Sequence, residues 1–142
     1  MATKIAINGF GRIGRCVLRA ALSRKEDLDF VAINDLDEPA ALAHLFKYDS
    51  VHGMWPGTVK ATDKGIVIDG KEIAVTAQKD PSALPWKSLG ADIVLECTGR
   101  FTERDDAAKH MGAGARKVII SAPAKGPDLT LAYGINHDQY DP

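Results

Sequence analysis

The sequence predicts an α/β domain built on an open, doubly wound and mainly parallel sheet with a small antiparallel insertion. Three observations carry that expectation. Short apolar runs of strand length alternate with segments whose apolar residues recur at helical spacing. A glycine cluster separates the first such run from the first helical segment. One stretch, residues 59–77, instead strings together short β-branched segments divided by turn residues, the mark of hairpins.

Lys4-Ile-Ala-Ile-Asn8 is a short apolar run that reads as a buried first strand. From Ile13 the apolar residues fall at Ile13, Cys16, Val17, Ala20 and Ala21, predicting a helix with that stripe packed inward. Asp29 to Asn34 repeats the strand pattern, completing a βαβ unit of about 30 residues whose crossover is right-handed. Asp37-Glu38-Pro39 predicts an N-cap and a proline in the first turn of a second helix that runs through Phe46. Asp63-Lys64-Gly65 and Asp69-Gly70 then divide the antiparallel insertion, the second as a two-residue hairpin turn. Leu84 to Leu89 is expected as a short helix and Asp92 to Glu96 as another buried strand. Glu103 to Met111 is expected as a helix closed by Gly112, Gly114, Arg116 and Lys117. Val118 to Ile120 supplies a further strand, and Leu129 to Tyr133 one more.

With 142 residues and no linker or repeat, residues 1–142 read as one domain, since domains run to roughly 150 residues. The composition, 45% hydrophobic and 26% charged, is that of a globular chain, and its formal net charge of -1 leaves no polyanion-binding footprint, so no nucleic-acid partner is implied. No apolar run exceeds four residues, whereas a membrane span needs about 20, so the expectation is a cytoplasmic protein without a membrane partner. Cys16 and Cys97 have no ligand spacing and fit free thiols in a reducing compartment.

Gly9-Phe10-Gly11-Arg12-Ile13-Gly14 is a Gly-x-Gly-x-x-Gly string between the first strand and the first helix. With 13 glycines in the chain the string alone is weak, but Asp35 follows it at the end of the next strand, 21 positions after Gly14. In that context Gly9 permits the tight turn, Gly11 lets backbone approach a pyrophosphate, and Gly14 allows close packing of helix on strand. The unpaired amides near Arg12 and Ile13 present donors and about half a positive charge to an anion. Asp35 accepts hydroxyl hydrogens from an adenosine ribose and repels a 2′-phosphate, favouring NAD over NADP. A Rossmann-like dinucleotide-binding domain follows from these residues together. An ordinary glycine turn and a capping Asp are the competing readings.

Thr98-Gly99 and Ser121-Ala122-Pro123 follow apolar strands where small residues leave room for a ligand, although each alone is a common strand-ending turn. Phe101 is a core aromatic or a base-stacking one. Cys16 reads as a buried small hydrophobe, and Cys97 as structural, with no catalysis assigned to either. His44, His52, His110 and His137 lack a ligand pattern, so packed or solvated imidazoles are expected and no metal. Glu103, Arg104, Asp105 and Asp106 read as a solvated helix start.

These residues, with Leu45-Phe-Lys-Tyr-Asp-Ser50, His52-Gly53, Ile120-Ser-Ala-Pro-Ala-Lys125 and Tyr133-Gly-Ile-Asn-His137, closely resemble the N-terminal part of the phosphorylating glyceraldehyde-3-phosphate dehydrogenases of glycolysis. The erythrose-4-phosphate dehydrogenases share the opening motif but match Ser121-Ala-Pro-Ala-Lys-Gly126 less closely. The resemblance covers essentially the whole chain. It implies NAD contacts from Asn8, Gly9, Gly11, Arg12, Ile13 and Gly14 around the pyrophosphate, and from Asn34 and Asp35 at the adenosine ribose. It places Lys79, Thr98, Gly99 and Phe101 around the adenine end and Ser121 towards the nicotinamide ribose. It also implies a homo-oligomer, tetrameric in the family. The family's Ser-Cys-Thr-Thr-Asn segment with its nucleophilic cysteine follows the stretch matching Ile135 to Pro142, so a catalytic domain absent from this chain and inactivity of the chain alone are expected. A non-enzymatic NAD/NADH-sensing or interaction module is the alternative.

Overall fold

The computed structural model describes residues 1–141. Its first strand, β1 (Thr3–Asn8), buries Ile5, Ala6 and Ile7 completely enough to sit at the centre of the sheet. Helix α1 (Arg12–Arg24) returns the chain to β2 (Leu28–Asn34), which pairs parallel to β1. Helix α2 (Pro39–Lys47) and a two-stranded ribbon, β3 (Tyr48–Asp49) with β4 (Gly53–Met54), lead into the meander β5 (Val59–Ala61), β6 (Gly65–Ile68) and β7 (Lys71–Thr76). A 3-10 turn at Pro81–Ala83 and α3 (Trp86–Leu89) precede β8 (Ile93–Glu96), and α4 (Arg104–Ala107) and α5 (Lys109–Gly112) precede β9 (Lys117–Ile120).

The sheet order is β5-β6-β7-β2-β1-β8-β9, with β7, β2, β1, β8 and β9 parallel. Chain connectivity runs outward from β1 in one direction through β2 and β7, then jumps back to β8 and β9 on its other side. This is the doubly wound arrangement, and its switch point lies between the carboxyl ends of β1 and β8, where such sheets bind ligands.

The small antiparallel insertion is present as β5, β6 and β7. It forms the edge of the main sheet, because β7 turns to pair parallel with β2. Its Asp69-Gly70 turn has φ of 51° and 85°, as a two-residue hairpin of this hand requires. The Asp69 carboxylate accepts from the Thr58 amide at 2.8 Å and from Trp55 Nε1 at 3.0 Å. A side chain at Gly57 would overlap that carboxylate.

Four expectations need correction. Helix α1 buries Gly14, Leu18, Arg19 and Ala21, while Ile13, Val17 and Ala20 face solvent and Cys16 is only half-buried. Both phases satisfy helical spacing, but a Cβ on Gly14 would overlap the Gly9 carbonyl, so the helix is rotated to put Gly14 against β1. Asp37 does not cap α2; Glu38 occupies that position without a side-chain hydrogen bond, and the Asp37 amide instead donates to Asp35 Oδ1 at 3.1 Å. The expected helices at 84–89 and 103–111 are shorter, the first starting at Trp86 and the second broken into α4 and α5 at Ala108. Leu129 to Tyr133 forms no strand: Leu129, Leu131 and Tyr133 are exposed, and a turn begins at Tyr133. Alternating apolar residues mimic a strand there, yet no neighbour supplies the ladder that would hold one.

Candidate functional site

At the end of β1 the chain makes its turn at Gly9, whose φ is 92°. Its amide donates to the Asn34 carbonyl at 2.8 Å, and a Cβ there would lie 2.7 Å from the Thr98 nitrogen, so glycine is required by conformation and by space. Gly11 differs. Its φ is -72°, and a side chain there would meet nothing within 4 Å. The protein's own packing does not demand that glycine, and the open space lies where α1 begins. No side chain caps this helix and its first turn holds no acidic residue, so the amides that start the 13-residue helix stay available to an anion.

Asp35 stands half-buried just past β2, its amide bonded to the Thr76 carbonyl at 2.9 Å. One carboxylate oxygen accepts from the Phe10 amide at 2.7 Å and the other from the Asp37 amide. A carboxylate offers about four lone-pair sites, so Asp35 steadies the glycine turn and keeps acceptor capacity for hydroxyl groups. Arg12 is turned to Asp49, at the end of β3, which also accepts from the Val51 and His52 amides at 2.8 Å each. The amide of His52, with the further help of Val51 and Arg12, holds the Asp49 carboxyl well below the usual carboxylate range.

The crevice thus gathers Gly9, Gly11, Arg12, Ile13 and Gly14 with Asp35 on one side and Thr98 and Gly99 on the other. Lys79 is exposed beyond β7, in the segment that Asn34 clasps through the Gln78 backbone. Phe101 is half-buried, and Ser121 is exposed after β9, its amide bonded to the Glu96 carbonyl at 3.0 Å. The Asn8 and Asn34 side chains point inward and are 2% and 4% exposed, bonded to each other, so they form the floor of the crevice and not its surface.

Sequence reasoning missed what lies beneath that floor. Glu96 and His110 are fully buried and joined at 2.7 Å, with Trp86 behind them. Burial disfavours the Glu96 charge, but bonds from His110, Thr98 and Asn8 outweigh it and hold the carboxyl below its ordinary value. The available signal was a carboxylate ending an otherwise apolar strand. Burial pushes the Cys97 thiol up against a weaker opposing bond to Ser121, which makes it a poor nucleophile. A separate groove of about 440 Å³ between α1 and β4 is lined partly by Arg19, whose guanidinium is already spent on the Phe46 and Lys47 carbonyls. Among the described residues no helix is long and apolar enough to cross a membrane, and no cluster of His, Cys, Asp and Glu is built to hold a metal ion.

Comparison with known proteins gives a consistent result. Residues 3–104 match the family described as glyceraldehyde 3-phosphate dehydrogenase, NAD binding domain. A glyceraldehyde-3-phosphate dehydrogenase of Geobacillus stearothermophilus is 58% identical over 142 residues, which are 100% of this chain and 42% of the relative. That of Kitasatospora aureofaciens is 58% identical over 140 residues, 99% of this chain and 42% of the relative. That of Thermotoga maritima is 56% identical over 140 residues, 98% of this chain and 42% of the relative. The chain therefore spans less than half the length of these curated relatives.

Proposed function

The chain belongs to the family of glyceraldehyde 3-phosphate dehydrogenase NAD-binding domains, and from that membership we propose that it seats NAD across the ends of β1 and β8. The observation that carries this reading is the uncapped start of α1 beside Gly11, a cradle that a Cβ would fill and that packing leaves open. The Arg12 and Ile13 amides hold the pyrophosphate, and Gly9 and Gly14 give the turn its shape. Asp35 takes the adenosine ribose hydroxyls and excludes a 2′-phosphate, with the floor residue Asn34 supporting it. Lys79, Thr98, Gly99 and Phe101 wall the adenine end, and Ser121 lies towards the nicotinamide ribose.

In the longer protein this domain serves the oxidative phosphorylation of glyceraldehyde 3-phosphate, NAD supplying the hydride acceptor. That reaction needs a nucleophilic thiolate, a base and sites for two anions. Cys97 is half-buried with its thiol pushed up by desolvation, and Cys16 on α1 lines the separate groove beside β4, so neither thiol fills the first role. These 142 residues by themselves hold the cofactor without turning substrate over. The longer protein assembles as a homo-oligomer in the cytoplasm, where Cys16 and Cys97 stay reduced.

Calorimetric titration with NAD tests the reading. Wild type binds; Asp35→Ala loses about tenfold or more in affinity, the worth of one charge-assisted bond. Gly11→Ala costs about 1 kcal/mol of stability, because alanine is a poorer N-cap than glycine although its Cβ meets open space, and the folded variant binds NAD more weakly. Wild-type binding with Gly11→Ala unaffected would remove the pyrophosphate from that cradle, and absence of wild-type binding would end the reading.

A further inference from the structure

Glu96 ends β8 at the switch point and is 1% exposed, so its charge survives only because donors surround it. Oε1 accepts from the Thr98 amide at 2.9 Å and from the Thr98 hydroxyl at 2.5 Å. Oε2 accepts from Asn8 Nδ2 at 2.6 Å and bonds His110 Nε2 at 2.7 Å. The tautomer of His110 follows from its other side. Trp86 Nε1 is only a donor and lies 2.9 Å from His110 Nδ1, so Nδ1 accepts and Nε2 carries the hydrogen given to Glu96.

We propose that Glu96 and His110 are positioning residues for the cofactor, holding the pyrophosphate side of the crevice in its binding shape without touching the ligand. This rests on the NAD reading above. A single carboxylate fixes both walls of the Gly9 turn: Thr98, whose backbone backs Gly9, and Asn8, which precedes it. Asn8 Oδ1 in turn accepts from Asn34 Nδ2 at 2.8 Å, and Asn34 Oδ1 takes the Gln78 amide and the Thr76 hydroxyl. The carboxyl ends of β8, β1, β2 and β7 are thereby tied in one line. Release of Glu96 shifts Thr98 and Asn8 together and misdirects the amides that follow Gly9. Asp35 loses at most the Phe10 amide and keeps the Thr76 carbonyl and the Asp37 amide, so the ribose contact outlasts the shift, and only the Thr98 part of the adenine wall moves.

The test compares NAD with adenosine, which lacks the phosphates, on wild type, Glu96→Gln, His110→Leu and His110→Gln. Glu96→Gln and His110→Leu weaken NAD binding about tenfold or more, the size of one orphaned buried partner, while adenosine, which feels only the shift of Thr98, weakens by no more than about threefold. His110→Gln, which keeps an N–H for Glu96 and an acceptor for Trp86, recovers NAD affinity to within about threefold of wild type. Equal losses for NAD and adenosine, or unchanged NAD affinity in folded variants, overturn the inference. Absence of NAD binding by wild type is a different result and removes the cofactor reading with it. A wild-type measurement guards against variants that do not fold. NAD shifts the indole N–H resonance of the buried Trp86, while that of Trp55, bonded to Asp69, stays still; an unmoved Trp86 signal overturns the inference.

Discussion

Ile5, Ile7 and Ile33 pack on one side of the sheet with Leu18, Leu42, Phe10 and Phe46, whereas Ala6, Ala32 and Val94 line the other with Trp86, Leu84 and Ala115. The first face is sealed by bulk under two helices of ordinary length. The second has small side chains and short helices, so its cover comes close, one indole fills the space, and a polar line of Trp86, His110 and Glu96 runs through it. A sheet that must carry a site at one end needs only one face rigidified by apolar volume. The other can be closed by hydrogen bonds, provided every buried atom finds a partner.

The largest expected effect tests the first face. Phe46→Ala empties a fully buried site between Phe10 and Trp55 and costs about 3–5 kcal/mol in urea unfolding. A loss under about 1 kcal/mol would show that this face is not held by volume. Trp86→Phe comes next and isolates the second mechanism, since it keeps most of the volume but removes the N–H that His110 accepts. It costs about 1–3 kcal/mol through the orphaned imidazole nitrogen, and the same measurement on Trp86→Phe combined with His110→Leu adds less than the two changes taken singly. Additive losses would mean that the indole acts by packing alone.

The smallest effect is a change of slope with pH. The folded pKa of Glu96 is depressed, so its contribution to stability is complete above the unfolded carboxylate value and disappears as pH falls through the lower, folded value. Chemical unfolding of wild type at a series of acidic pH values therefore shows stability declining below the ordinary carboxylate range. Glu96→Gln flattens that decline, leaving the shallower part due to Asp49 and Asp80, whose carboxyls are likewise held low by backbone amides. An identical slope in both proteins would count against an ionised Glu96 in the folded state.

Much of the fold was legible because strand burial is written in runs such as Ile5 to Ile7, and because Asp69-Gly70 has a single economical geometry. The rotation of α1 was not. Ile13, Val17 and Ala20 give as good a periodicity as Gly14, Leu18 and Ala21, and only the contact of Gly14 with the Gly9 carbonyl separates them. Leu129, Leu131 and Tyr133 alternate as a strand would, but alternation says nothing about whether a partner edge exists. At the crevice, the glycines and Asp35 were readable from spacing because the turn imposes it. The bond between Glu96 and His110 joins residues 14 positions apart through the sheet's interior, and no local pattern encodes such a meeting.

Gly57 and Asp69 illustrate how one contact restricts sequence drift. The missing side chain of the first makes room for the carboxylate of the second, which ties the hairpin tip to the Trp55 ring under α2. Neither position is free to vary alone: enlarging Gly57 evicts the carboxylate, and neutral replacement of Asp69 strands the indole while sparing the glycine. Mutational libraries over the meander should find these two sites epistatic, with viable alternatives recovered as paired changes far more often than their separate frequencies predict.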